Sequence, residues 1–151
     1  MILKNLINKS LKIIISFCVG IFIITYLLRI PFMMTDNRIV NEYYIDNFTK
    51  NIPLDFIFVI CYFILAKLII TLLNINEFSI KLLIIALTTA IITGGFCYYF
   101  INRKASSNFF SRWFHIVGYK SVIYDVILLS FIYCIYVYLD IYANTNFRIN
   151  D

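Results

Sequence analysis

Charge is scarce in this chain: Asp, Glu, Lys and Arg make up 14% of its 151 residues, while 62% are hydrophobic. Soluble globular domains carry ~25% charged and about 45 to 50% apolar residues, so a soluble fold is excluded. The mean hydropathy of +0.88 agrees, and the chain reads as an integral membrane protein. Alanine, glycine and proline are sparse, with four glycines and two prolines, whereas Ile, Phe, Asn, Tyr and Lys are abundant. That bias suggests an AT-rich genome and speaks of source, not activity.

Chemical motifs are sparse too. No Cys-x-x-Cys occurs, which disfavours a quinone-linked dithiol enzyme. Cys18, Cys61, Cys97 and Cys134 fall one per apolar segment and are expected to be buried free thiols, since isolated cysteines behave as small hydrophobes. No zinc motif, nucleotide loop or nucleophile signature is present, and no nucleic-acid-binding motif. The single histidine, His115, has no second ligand at metal spacing. The expectation is a non-enzymatic protein with no catalytic residues, cofactor, metal or nucleic-acid partner. Lys4, Lys9 and Lys12 precede the first apolar run, and without an Ala-x-Ala site that run reads as an uncleaved signal anchor.

What the chain has in quantity is apolar length. Four membrane-spanning helices are expected at about 13–30, 54–73, 82–101 and 122–142, all within one membrane domain covering 1–151. Pro31 stops the first, Pro53 suits the first turn of the second, and Asn74-Ile75-Asn76 makes a tight hairpin of the second and third. The two longer connections lie on one side and predict interfacial amphipathic helices. In the first, about 36–48, Asp36 is the expected cap and Val40, Tyr43, Tyr44 and Phe48 recur at helical spacing. In the second, about 108–118, Phe110, Trp113, Phe114 and Val117 repeat the pattern and Gly118 is a stop. The fold class is therefore all-α: a four-helix up-and-down membrane bundle with two interfacial helices. The basic residues divide almost evenly between its two sides. Only the usual dominance of the first helix leans towards a cytoplasmic N-terminus.

Small residues suggest packing seams: Ser16 with Gly20 in the first span, and Ala86, Ala90 and Gly94 in the third. The basic and aromatic residues Arg112, Trp113, His115 and Lys120 are expected at the interface with anionic headgroups.

The charges near the membrane raise the sharper question. Between Asp125 and Asp140 run fourteen uncharged residues, Val126 to Leu139; a helix of that length covers ~21 Å of a hydrocarbon core ~30 Å thick. At least one of these acids must lie at or below the lipid boundary. On the loop side, Asp55 and Asp125 open spans two and four while Arg29 and Arg103 close spans one and three. The acids are expected to favour the positive ends of their own helices and to pair with a neighbouring arginine. Near the other leaflet, Lys67 is expected either to pair with Asp140 or to snorkel.

The segment Asn108-Phe109-Phe110-Ser111-Arg112-Trp113-Phe114-His115-Ile116-Val117-Gly118-Tyr119-Lys120, with Tyr124-Asp125-Val126-Ile127 and Pro53-Leu54-Asp55, resembles small multi-spanning membrane proteins of nucleocytoplasmic large DNA viruses. The resemblance implies a viral membrane or virion component without assigned activity. The leading expectation is a protein that organises a membrane or viral envelope by helix packing and interfacial contacts, with itself or other membrane proteins as partners. The rivals are a small oligomeric transporter or channel using Lys67, Asp125 and Asp140, and an interfacial lipid-modifying enzyme using His115 with Asp55 or Asp125.

Overall fold

The computed structural model describes residues 2–35 and 38–149, with side chains described for 8–35 and 38–142. Helix α1 (Ile2–Ile21) continues as a π-helical stretch, Phe22–Leu27. Two short helices follow, α2 (Ile30–Met34) and α3 (Arg38–Asn41), the latter running into a π-helical turn, Glu42–Asp46. The long helices α4 (Phe48–Leu72) and α5 (Phe78–Ile101) form the hairpin, and α6 (Phe109–Val117) leads into α7 (Tyr119–Ile149). Among the described residues there is no strand, and four stretches are long and apolar enough to cross a membrane: Asn8–Leu27, Phe48–Leu72, Phe78–Ile101 and Tyr119–Tyr142. The protein is a multi-pass, all-α membrane bundle.

Local chemistry explains where the chain turns. The π-helical end of α1 closes with Leu28 N–H donating to the Ile23 carbonyl at 2.8 Å. Arg29 then takes a left-handed φ of 53°, and Pro31, in the first turn of α2, cannot continue the preceding ladder. Asn74, at φ 52°, makes the corresponding turn after α4; asparagine tolerates that region better than most side chains. At α6 the Asn108 side chain accepts from Phe110 N–H at 3.0 Å, and Gly118, at φ 58°, lets the chain break into α7.

Three details depart from the sequence reading. Helices α4 and α7 begin at Phe48 and Tyr119, before their apolar runs, so Pro53 lies inside α4 instead of in its first turn. The first connection is broken into α2, α3 and the π-helical turn, and buries Ile39, Val40, Tyr43 and Tyr44 in protein, while Phe48 is exposed. The expected cap Asp36 lies outside the described residues, as do the side chains of Lys4 and Arg148. Of the four cysteines only Cys97 is buried; Cys18 and Cys61 face outward and Cys134 is intermediate.

Helix α7 packs along both α5 and α1, and α4 packs against α5. Phe17 of α1 and Phe56 of α4 close the ring, their centroids 5.0 Å apart. The α1–α7 seam depends on small residues. Ser16 is fully buried, its hydroxyl turned back onto the Lys12 carbonyl at 2.7 Å. At Gly20 an added Cβ would stand 2.5 Å from Ile132 Cγ1, and Ile132 has no exposed surface into which to yield. The third span packs differently from its alanine and glycine spacing. Its buried face is Ile85, Thr88, Thr89, Thr93 and Cys97, next to the Ala86, Ala90 and Gly94 stripe, and a Cβ on Gly94 would meet nothing within 4 Å. Threonine packs there because its hydroxyl can return to the helix, as Thr89 does to the Ile85 carbonyl at 2.8 Å.

Gly20→Ala should therefore destabilise the bundle by about 1–3 kcal/mol, as an overpacked core does, while Gly94→Ala should be neutral or mildly stabilising through helix propensity. Thermal unfolding in detergent micelles compares them. Equal melting temperatures for the two variants would contradict the close α1–α7 approach.

Candidate functional site

The two loop-side acids are not at helix starts. Asp55 lies seven residues after Phe48 and Asp125 six after Tyr119, hence ~10 Å and ~9 Å along their helices. At that depth the positive helix ends no longer reach them, because the helix-dipole effect fades within the first turn. Among the described residues no arginine pairs with either acid. Arg29 lies over the Phe32 ring at 5.2 Å and Arg103 over the Tyr99 ring at 4.0 Å. The expected arginine–aspartate pairing is thus replaced by cation–π contacts on the outside, since Arg29 sits in an outward turn and Arg103 follows the end of α5.

Both acids instead turn inward and line one cavity of about 180 Å³. Helix α4 contributes Asp55, Phe58 and Tyr62, α5 contributes Thr93, Phe96 and Phe100, and α7 contributes Asp125. The cover comes from the two loop connections: Tyr43 and Tyr44 from the π-helical turn, and Phe110, Trp113 and Phe114 from α6. Phe96 is the exposed member, at 42%, with Phe58 and Phe110 half-buried, so the open side lies between α4 and α5 towards the loop side. Deeper than the lining Tyr62, Thr93 and Asp125, the side chains of Ala66, Thr89 and Ile132 are fully buried and fill the bundle. The cavity therefore has a floor.

Hydroxyls, not cations, hold the carboxylates. Tyr43 Oη donates to Asp55 Oδ1. Burial, and then the charge of Asp55, pushes the Tyr43 hydroxyl far above the usual phenol range, so it remains a donor. Thr93 Oγ1 donates to Asp125 Oδ2 at 2.8 Å and lies 3.2 Å from Tyr62 Oη. Because the single threonine hydrogen is directed at Asp125, Tyr62 is the donor to Thr93, giving a relay from Tyr62 through Thr93 to Asp125. Beside it, Tyr124 Oη and Thr25 Oγ1 share a hydrogen bond of 2.6 Å. None of the twelve lining residues is Lys, Arg or His. Among the described residues no three of His, Cys, Asp and Glu gather as a metal centre.

The cover is fastened by rings and by one ion pair. Tyr43 packs on Trp113 and Phe109 with centroids at 4.9 and 5.3 Å, and Tyr44 meets Trp113 and Tyr124 at 6.1 and 5.8 Å. Arg112 forks onto Glu42 at 2.6 and 3.2 Å, joining α6 to the turn that carries Tyr43. Trp113, expected at the lipid interface, is instead buried in this cluster, and Lys120 donates to the Met34 carbonyl at 2.7 Å. His115 is exposed, its ring nitrogens 2.7 and 3.0 Å from the carbonyls of Ser111 and Arg103. It ties the α5–α6 loop and meets neither aspartate.

At the other leaflet the expected Lys67–Asp140 pair gives way to another. Lys12 Nζ lies 2.7 Å from Asp140 Oδ1, with the lysine side chain 10% exposed. Helix α7 neighbours α1, while Lys67 is on the exposed side of α4. Sequence reasoning grouped Lys12 with the flanking charges because the apolar run starts after it, although the helix and the candidate span begin earlier. No protein-family model, curated protein or solved structure matches this chain.

Lys12→Met should lower stability by about 1–2 kcal/mol, less than the 3–5 for a fully buried pair because Asp140 is 42% exposed. Adding Asp140→Leu should restore most of the loss in a double-mutant cycle read by thermal unfolding. Strictly additive losses would mean that the pair is not coupled.

Proposed function

We propose that this protein captures a cation in its membrane, with Asp55 and Asp125 as the charge-recognising groups of a transporter-like binding cavity. The supporting observation is that two acids from different spanning helices meet one cavity without a basic residue in its lining. An Asp costs roughly 2.5–3.5 kcal/mol to insert at the centre of a spanning helix, an upper bound for acids ~9–10 Å from their helix starts, and one hydrogen bond to a charged group returns about 1.5–3 kcal/mol. The hydroxyl donors therefore roughly offset burial of each acid. They occupy one oxygen of each acid and leave Asp55 Oδ2 and Asp125 Oδ1 without a hydroxyl from the lining, which a cation in the cavity completes.

This reading keeps the transporter alternative but moves its charges. Asp140 is engaged by Lys12 and Lys67 is exposed, so Asp55 and Asp125 carry the role. The buried floor fits a binding state open to one leaflet better than a continuous channel. Membrane organisation alone gives no reason for two acids facing an aromatic cavity, and a lipid-modifying enzyme would need His115 next to an acid. The proposal applies equally to a host membrane and to a virion envelope.

Thermal unfolding in nanodiscs, with sodium, potassium, magnesium, ammonium and tetramethylammonium as separate probes, tests it. A probe at a hundred times its Kd should stabilise the wild type by about 2.7 kcal/mol, and the gain should vanish in the Asp55→Asn/Asp125→Asn variant. If every probe affects both proteins equally, the cavity is not a cation site.

A further inference from the structure

Resting on the cation-capture reading, we infer that the cation is a methylated ammonium, of the kind carried by choline, and that the aromatic cover is its recognition surface. Nine of the twelve lining residues are aromatic. Trp113, Tyr43 and Tyr44 form the buried wall on the loop side, while Phe58, Phe96 and Phe110 stand towards the opening. Aromatic faces attract a cation through their quadrupoles, and cages of them are the recurrent answer to quaternary ammonium ligands.

The oxygen inventory points the same way. Calcium takes 6–8 oxygen ligands, and magnesium demands a close octahedron and sheds water reluctantly. This lining offers two carboxylates, Thr93 and tyrosine hydroxyls already engaged with one another. A primary ammonium brings three donors and a guanidinium five. Of the four carboxylate oxygens in the lining, Asp55 Oδ1 and Asp125 Oδ2 already accept from hydroxyls, which leaves Asp55 Oδ2 and Asp125 Oδ1 for a ligand. A methylated ammonium needs few or no acceptors, and sheds its weakly held water against ring faces. Its charge still requires the carboxylates. The volume suits it too: about 180 Å³ is close to the ~150 Å³ cavity that accommodates benzene and below the ~300 Å³ at which drug-sized sites begin.

The same headgroup chemistry could arrive as a free methylated amine or on a choline lipid. The opening at Phe96 lies five residues before the loop-side end of α5, ~8 Å along the axis and within reach of lipid headgroups.

Calorimetric titration of tetramethylammonium chloride into the full chain, held in nanodiscs of phosphatidylglycerol, tests the inference. Saturable binding at least tenfold tighter than that of sodium or methylammonium is expected. Asp125→Asn should weaken it at least tenfold, and Phe96→Leu, at an exposed position where folding is not at risk, about threefold or more. Repeating the titration in phosphatidylcholine nanodiscs separates the sources. A weakened apparent affinity identifies the lipid headgroup as the competitor, and an unchanged affinity with competition by free choline identifies a soluble amine. If sodium or methylammonium binds as tightly as tetramethylammonium through the same aspartates, the methylated-ammonium inference falls while cation capture stands. If no cation binds in an aspartate-dependent way, both fall.

Discussion

A carboxylate below the headgroups must find its donors within the protein, and α7 carries two such groups. Its spanning stretch, Tyr119–Tyr142, has 24 residues, or ~36 Å, which exceeds the ~30 Å hydrocarbon core. Asp125 and Asp140 are thus held inside a helix of ample length. They do not bracket a short one. Each takes a hydrogen bond from a different neighbour: Asp140 from Lys12 of α1, and Asp125 from Thr93 of α5. The central position of α7 between these two helices follows the same chemistry, because each flank of α7 presents an acid to the helix that can answer it.

The second consequence concerns the loops. Asp55 on α4 is held by Tyr43, which belongs to the connection between the first two spans, and Tyr43 is itself held by Trp113 and Phe109 from the connection between the last two. The connections are therefore not simply laid on the headgroup layer. They fold onto the bundle as a shared aromatic cover, clamped by Arg112 and Glu42. The exposed basic residues that remain, such as Arg29 and Arg103, are carried on ring faces at the outside.

Apolar length made the four spans legible in the sequence, and the helical spacing of Phe110, Trp113, Phe114 and Val117 with a stop at Gly118 made α6 legible. Depth was not. A helix that starts at Phe48 or Tyr119, inside a polar flank, shifts every charge after it towards the membrane interior, and hydropathy does not mark that start. Partner choice was equally hidden: Asp140 selects Lys12 over Lys67 because α7 neighbours α1, and adjacency in an up-and-down bundle cannot be read from one sequence. The Ala86, Ala90 and Gly94 stripe misled because small size permits close packing without requiring it. The threonines beside it could have indicated the true face, since Thr88, Thr89 and Thr93 are polar residues in a lipid-spanning helix and favour its inner side. The sequence places Asp55 and Asp125 on the same side of the membrane, each beside an arginine, but their common cavity follows only from the way the loops cover them.

The central claim is that Asp55 and Asp125 face one cavity open towards the loop side of the membrane. Its most direct test is the reactivity of a single thiol at Asp125→Cys, with the four native cysteines replaced, towards a small, membrane-impermeant cationic thiosulfonate added to one side of sealed vesicles. The account predicts labelling from the loop side alone. A thiol that reacts only from the terminal side, or only after unfolding, would contradict it.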